Sequence, residues 1–182
     1  MSIVGFAQLR ATPWKNGLGV TREILVEPAG ASMDDFLWRA SIAEVDTASP
    51  FSVFPGIDRT IVLLDGDGFT LTLDDTRTHA LTTPCVPFAF AGESRVEVAL
   101  AGGATRDFNL MVRRGHARGR IDVERGPATL ERQHMVLLHL ARGHADVDGV
   151  ACVPGDSALG PRTVRLDTDA VALCVRVVLL AP

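Results

Sequence analysis

The sequence predicts an all-β protein with very little helix, and three observations carry that prediction. Short runs rich in valine, leucine and threonine recur at roughly ten-residue spacing, divided by glycine, proline and aspartate. Helical periodicity is weak throughout. Two stretches follow one plan, in which an apolar strand runs through a glycine turn into a second strand and then a proline.

In chain order, strands are expected at 20–27, 37–45, 59–64, 69–74, 86–90, 95–100, 108–113, 135–141, 162–166 and 171–180. Thr70-Leu71-Thr72-Leu73 alternates polar and apolar residues, so one face of that strand meets a core. The segment 173–180 is almost continuously apolar, which suits burial on both faces. The one helical candidate is a turn at 31–36, with Ser32 placed to cap it. The repeated plan pairs Ile61 to Cys85 with Val136 to Asp156 and implies duplication, although any β-rich chain repeats hairpins.

With 182 residues of which 47% are hydrophobic, the chain can bury a sizeable core. A formal net charge of −4 and no basic run longer than Arg113-Arg114 argue against nucleic acid or an anionic membrane as partner. No apolar run approaches the roughly 18 residues of a spanning helix, and no leader pattern opens the sequence, so a cytoplasmic location is expected. Cys85, Cys152 and Cys174 lie far apart in apolar sequence, which suits reduced, packed cysteines rather than disulfides or zinc ligands.

Chemistry-bearing residues concentrate in the first half. Trp14-Lys15-Asn16-Gly17-Leu18-Gly19 holds the single lysine among 18 basic residues, a compact cation with three donors suited to an anion. The alternative is a surviving surface residue. Thr21-Arg22-Glu23 follows on one strand. On the next, Arg39 and Ser41 share a face opposite Trp38, Ala40 and Ile42. A guanidinium fork beside a hydroxyl grips a carboxylate, unless Arg39 is paired with Glu23 or Glu44 instead. The stiff loop 49–59 supplies Phe51, Phe54, Asp58 and Arg59, its rings either walling a pocket or plugging one end of a barrel.

Pro13-Trp14-Lys15-Asn16-Gly17-x-Gly19-x-Thr21-Arg22-Glu23, Trp38-Arg39-x-Ser41-Ile42-Ala43, Phe51-Ser52-x-Phe54-Pro55-Gly56-x-Asp58-Arg59 and Asp107-Phe108-Asn109-Leu110-Met111 together resemble the HutD/Ves family. Leu18 stands where many relatives would carry glycine. The resemblance implies a bicupin, two cupin-type β-sandwich barrels in one chain, with domains at 1–112 and 113–182 that can share strands. It also implies a role in bacterial histidine utilisation as a regulator that binds an intermediate such as formylglutamate or urocanate.

Enzymatic cupins hold a divalent metal through paired histidines, a nearby acid and a later histidine. The corresponding positions fall near Ser52, Phe54 and Asp58, and 87–92 contributes no imidazole. His79, His116, His134, His139 and His144 lie elsewhere, so neither metal nor other cofactor is expected. There is no nucleophile elbow and no phosphate loop.

The expectation is therefore a metal-free protein that binds a small carboxylate in its amino-terminal barrel. Lys15, Arg39, Arg59 and Arg22 would supply positive charge, and Asn16 and Ser41 hydrogen bonds. Trp14, Trp38, Phe51 and Phe54 would wall the pocket, while Glu23 and Asp58 orient arginines. The carboxy-terminal barrel is read as structural, with a homo-oligomer surface as its further use. The competing reading is a metal-independent isomerase or hydrolase of a small acid, with Lys15, Glu23 and Asp58 moving protons.

Overall fold

The computed structural model describes residues 1–14 and 16–181. The chain divides into two compact units, one formed by residues 10–117 and the other by residues 1–9 with 118–181. The sequence reading draws a single border at 112/113. The structure instead groups the first nine residues with the carboxy-terminal unit, because strand β1 (Ser2–Val4) pairs there with β16 (Ser157–Leu159). Such a pairing across the whole chain leaves no local trace in sequence.

The first unit holds β2 (Ala11–Pro13), β3 (Gly19–Glu27), β4 (Trp38–Val45), β5 (Ile57–Gly66), β6 (Phe69–Leu73), β7 (Arg77–Leu81), β8 (Pro87–Ala91), β9 (Val96–Leu100) and β10 (Thr105–Arg113). They form a six-stranded sheet in the order β2-β3-β4-β10-β5-β8 and a three-stranded sheet β7-β6-β9, with antiparallel pairing. Alternation brings Ile61 and Leu63 of the larger sheet against Phe69, Leu71, Leu73, Leu81 and Val96 of the smaller one, in a core with Phe90. Each fully buried side chain of this size contributes about 1.5–3 kcal/mol.

The second unit adds β11 (Ala117–Arg125), β12 (Ala128–Glu131), β13 (Met135–Arg142), β14 (Ala145–Val147), β15 (Val150–Cys152), β17 (Thr163–Leu166) and β18 (Val171–Leu179). Its sheets run β1-β16-β13-β18-β11 and β12-β17-β14-β15. Leu138, Leu140, Val147, Val164, Leu166, Ala172 and Cys174 pack between them. Cys152 and Cys174 are buried, Cys85 is half-buried, and none of the three forms a disulfide. β18 is buried on both faces over Val171–Val175, but the burial expected for 173–180 does not continue, because Arg176 interrupts the apolar run and Val178 and Leu179 are exposed.

All ten expected strands form, and the described residues contain no α-helix. The segment 31–36 is a turn, not a helix. Ser32 Oγ accepts the Asp34 amide at 3.2 Å and donates to Asp35 Oδ1 at 2.7 Å, and only the Phe36 amide reaches back to the Ser32 carbonyl. Arg113 holds that turn by donating to the carbonyls of Phe36 and Asp34, each at 2.7 Å. The helical turn lies elsewhere, a single 3₁₀ turn at Phe6–Gln8. Among the described residues no helix is long and apolar enough to cross a membrane.

Candidate functional site

Strand β10 lies between β4 and β5, so its inward side chains are flanked by those of two neighbours. Asn109 faces Ser41, which faces Glu23; Asp107 faces Ala43, which faces Thr21; Met111 faces Arg39 on one side and Arg59 on the other. Bulges interrupt the ladder beside these rows, between Glu23 and Leu25 and between Arg106 and Asp107. An extra residue in one strand re-aims the side chains around it. The result is a polar patch on an otherwise apolar face, and it lines a cavity of about 890 Å³.

The loop before β5 roofs this patch. The Phe51 amide donates to the Val96 carbonyl at 3.0 Å, and the Phe54 amide to the Gly92 carbonyl at 2.7 Å. These bonds hold the rings over Arg59, whose guanidinium carbon lies 5.0 Å from the Phe51 centroid, 5.6 Å from Phe54 and 4.9 Å from Phe90. Ring faces attract a cation, most strongly where water is excluded. Phe51 meets Phe69 edge-on at 6.0 Å, which fixes its plane.

Arg59 is 7% exposed, and its Nη2 donates to Asn109 Oδ1 at 2.9 Å. Burial lowers its pKa to about 10; the Asp107 charge opposes that shift and the Arg39 charge adds to it. It therefore stays cationic at neutral pH. Asn109 Nδ2 donates to Asp107 Oδ2 at 2.6 Å, so one amide links the two charged side chains. Asp107 is 1% exposed. Burial pushes its carboxyl up to about 7, against the opposing pull of Arg59 and the Asn109 bond. Among the described residues, Arg59 Nε and Asp107 Oδ1 are both buried without a hydrogen-bond partner. Unmet polar atoms of this kind are uncommon in native interiors and mark a strained or functional place.

Arg39 Nε donates to Glu23 Oε2 at 2.7 Å, and Nη1 stands 3.5 Å from Ser41 Oγ. Trp14 Nε1 donates to Thr21 Oγ1 at 2.8 Å, which lays the indole along β3. Gly19 is required there, since a Cβ would come within 2.9 Å of that ring and 2.8 Å of the Glu44 carbonyl. Gly17 takes φ 70°, the left-handed turn conformation that glycine adopts without strain. Asn16 Oδ1 accepts the Leu18 amide at 3.1 Å, and its Nδ2 reaches Ser49 Oγ at 3.4 Å.

Of the residues expected at the site, the cavity brings together Trp14, Asn16, Glu23, Arg39, Ser41, Phe51, Phe54 and Arg59. Lys15 lies outside the described residues. Three others do not line the cavity. Trp38 falls on the opposite face of β4 by strand alternation and is buried. Arg22 alternates away from Glu23 and pairs with Glu44 at 2.6 Å. Asp58 alternates away from Arg59 and binds the exposed Arg114 at 2.7 Å, beside Glu93. Conversely, Asp107, Asn109 and Met111 line the cavity without having been expected there. Their signal is the polar, apolar, polar order of 107–109 inside a run otherwise suited to the core.

The HutD family model matches residues 6–174. The chain belongs to the HutD family. Among relatives, an uncharacterized 21.2 kDa protein in the hutC 3′ region of Pseudomonas putida is 42% identical over 74% of this chain and 70% of its own length. Protein Ves of Cronobacter sakazakii is 36% identical over 84% of each chain. HutD from Pseudomonas fluorescens SBW25, solved in a formate condition, superposes with a TM-score of 0.85 at 30% identity over 99% of both chains. A cupin 2 conserved barrel domain protein from Leptotrichia buccalis, 10% identical with a TM-score of 0.61 over 98% of this chain and 96% of its own, shows a shared cupin-like fold alone.

A resident divalent metal would need several imidazole, thiolate or carboxylate donors at fixed geometry. Among the described residues no group of three or more histidine, cysteine, aspartate or glutamate side chains could hold a metal ion. The cavity offers Glu23, already held by Arg39, and Asp107 near Arg59, with no imidazole or thiolate among the lining residues. Carboxylates set among guanidinium groups do not fit a divalent cation.

Proposed function

We propose that this chain is a small-molecule-binding regulatory protein of the HutD/Ves type, a cytoplasmic bicupin that works without metal. Its ligand is a small carboxylate metabolite of histidine utilisation, such as formylglutamate or urocanate, held in the cavity beneath Phe51 and Phe54. The single observation that carries this reading is Arg59. It is a cation buried under three aromatic rings, its Nε without a partner among the described residues, in the wall of a cavity large enough for a metabolite. Burying a guanidinium without a carboxylate in direct contact is costly, and an incoming anion offsets that cost. Arg39 and Ser41 add a second fork and a hydroxyl beside it, while the neighbour that crystallised in a formate condition and the relative from the hutC 3′ region favour a carboxylate from that pathway.

A titration of formylglutamate, urocanate and formate, followed by thermal shift and calorimetry, tests the reading. Binding should raise the melting temperature with ligand concentration, by mass action, while the acids are recovered unchanged. Absence of binding by every acid would dismiss it.

One observation favours a second reading, a metal-independent isomerase or hydrolase. Asp107 carries a carboxyl that titrates near 7 in the cavity wall, the range suited to a general acid or base. Appearance of product by NMR, lost in Asp107→Asn, would favour that reading over the regulator.

A further inference from the structure

Asp107 sits oddly in an anion site. Its side chain lies at the level of Ala43 on β4 and Leu63 on β5, neither of which can neutralise it. Among the described residues its one hydrogen bond comes from Asn109, and Oδ1 meets no partner. The other charged residues lining the cavity, among those described, are Arg10 before β2, Glu23 on β3, Arg39 on β4 and Arg59 on β5. No histidine lines it. Glu23 and Arg39 cancel each other as a pair. Among the described residues Arg10 is exposed, and the buried charge beside the cavity is that of Arg59 and Asp107 together: close to zero when Asp107 is ionised, and positive when it is protonated.

An anion brought beside Arg59 approaches an ionised Asp107 through a medium with little water to screen the repulsion. Protonation of Asp107 removes that repulsion and leaves Arg59 free of competition. We propose that Asp107 makes anion capture in this cavity proton-linked: each anion is taken up together with one proton from solvent, which comes to rest on the Asp107 carboxylate. This inference rests on the carboxylate-binding reading above and adds its regulation. The site would hold its ligand tightly in mildly acidic conditions and release it as pH rises past neutrality, within the range where Asp107 changes charge.

The sign follows from linkage. Below about pH 7 Asp107 already holds its proton in the free protein, and binding moves none. Above it, binding takes up as much as about one proton per anion, and affinity falls toward tenfold per pH unit.

The experiment is calorimetry of the full chain with N-formylglutamate, which has no group titrating between pH 5.5 and 8. It is run at both pH values in buffers of different ionisation enthalpy. At pH 8 the observed heat should depend on buffer and report about one proton taken up, whereas at pH 5.5 it should not. In Asp107→Asn the buffer dependence should vanish, and affinity at pH 8 should match the wild type at pH 5.5. NMR of aspartate carboxyl carbons in the wild type follows the same proton without a variant, and one signal should move to the protonated position on ligand addition at pH 8. Binding with buffer-independent heat at pH 8, or proton uptake that leaves every aspartate signal in place, overturns the proton link and leaves the binding reading standing. Absence of binding at both pH values overturns both.

Discussion

The two units each bury a polar pair on a central strand, and they treat it differently. In the carboxy-terminal unit His139 Nδ1 and Ser157 Oγ lie 2.9 Å apart, both almost wholly buried on paired strands. In the other unit Asn109 links Arg59 to Asp107, and among the described residues each of the two keeps an atom unmet beside a cavity. A closed hydrogen bond rigidifies a core, while an open one leaves interaction energy for something else to claim. The contrast teaches where to look for function: in the unit whose buried polar groups remain incompletely satisfied.

The largest effect that could break this contrast is at Arg59. Arg59→Met fills the same volume with an apolar chain beneath the same rings, so it should weaken carboxylate binding by at least a hundredfold, about 3 kcal/mol, in a calorimetric titration. Its melting temperature should fall, and less in acid, because the change leaves Asn109 Oδ1 without its donor and an ionised Asp107 without its opposite charge. Unchanged affinity would remove the cavity from the account.

Next in size is the stability cost of Asp107. Its folded carboxyl, near 7, lies above its unfolded value near 3.8, so the folded state holds the proton more tightly. Stability therefore falls as pH rises from about 4 to about 7 and stays lowered above that. Asp107→Asn should accordingly stabilise the protein by on the order of 2 kcal/mol at pH 8 and hardly at all at pH 4. Urea unfolding at the two pH values measures this.

Ser157→Ala makes the opposite prediction for the other pair. Removing the hydroxyl takes from His139 a buried partner, at a cost of about 1–2 kcal/mol, with no change in ligand affinity. A loss of binding there would extend the site into the second unit. The smallest effect is expected at Arg39, whose pairing with Glu23 already spends part of its charge. Arg39→Gln should weaken carboxylate binding by about five- to tenfold, roughly 1 kcal/mol.

Strand positions were legible because alternation and turn residues are local signals, which is why 20–27 and 69–74 in the sequence correspond to β3 and β6. The turn at 31–36 was misjudged for a reason equally local: Ser32 caps Asp34 as it would a helix, but Arg113, far along the chain, gathers the carbonyls. Arg39 with Ser41 was readable from spacing by two. The same rule separates Trp38 and Asp58 from the cavity once the inward face is known, yet nothing in the sequence says which face that is. Asp107 and Asn109 became visible as a site only when register set β10 between β4 and β5, with Asn109 opposite Ser41 and within reach of Arg59 one row away. Their polarity could be read directly; their neighbours could not.

The most direct measurement is a crystal structure of the protein grown with saturating N-formylglutamate. The account predicts a carboxylate beneath Phe51 and Phe54 with an oxygen about 3 Å from a guanidinium nitrogen of Arg59 or Arg39. Density for the acid outside that cavity, with both guanidinium groups untouched, would contradict it.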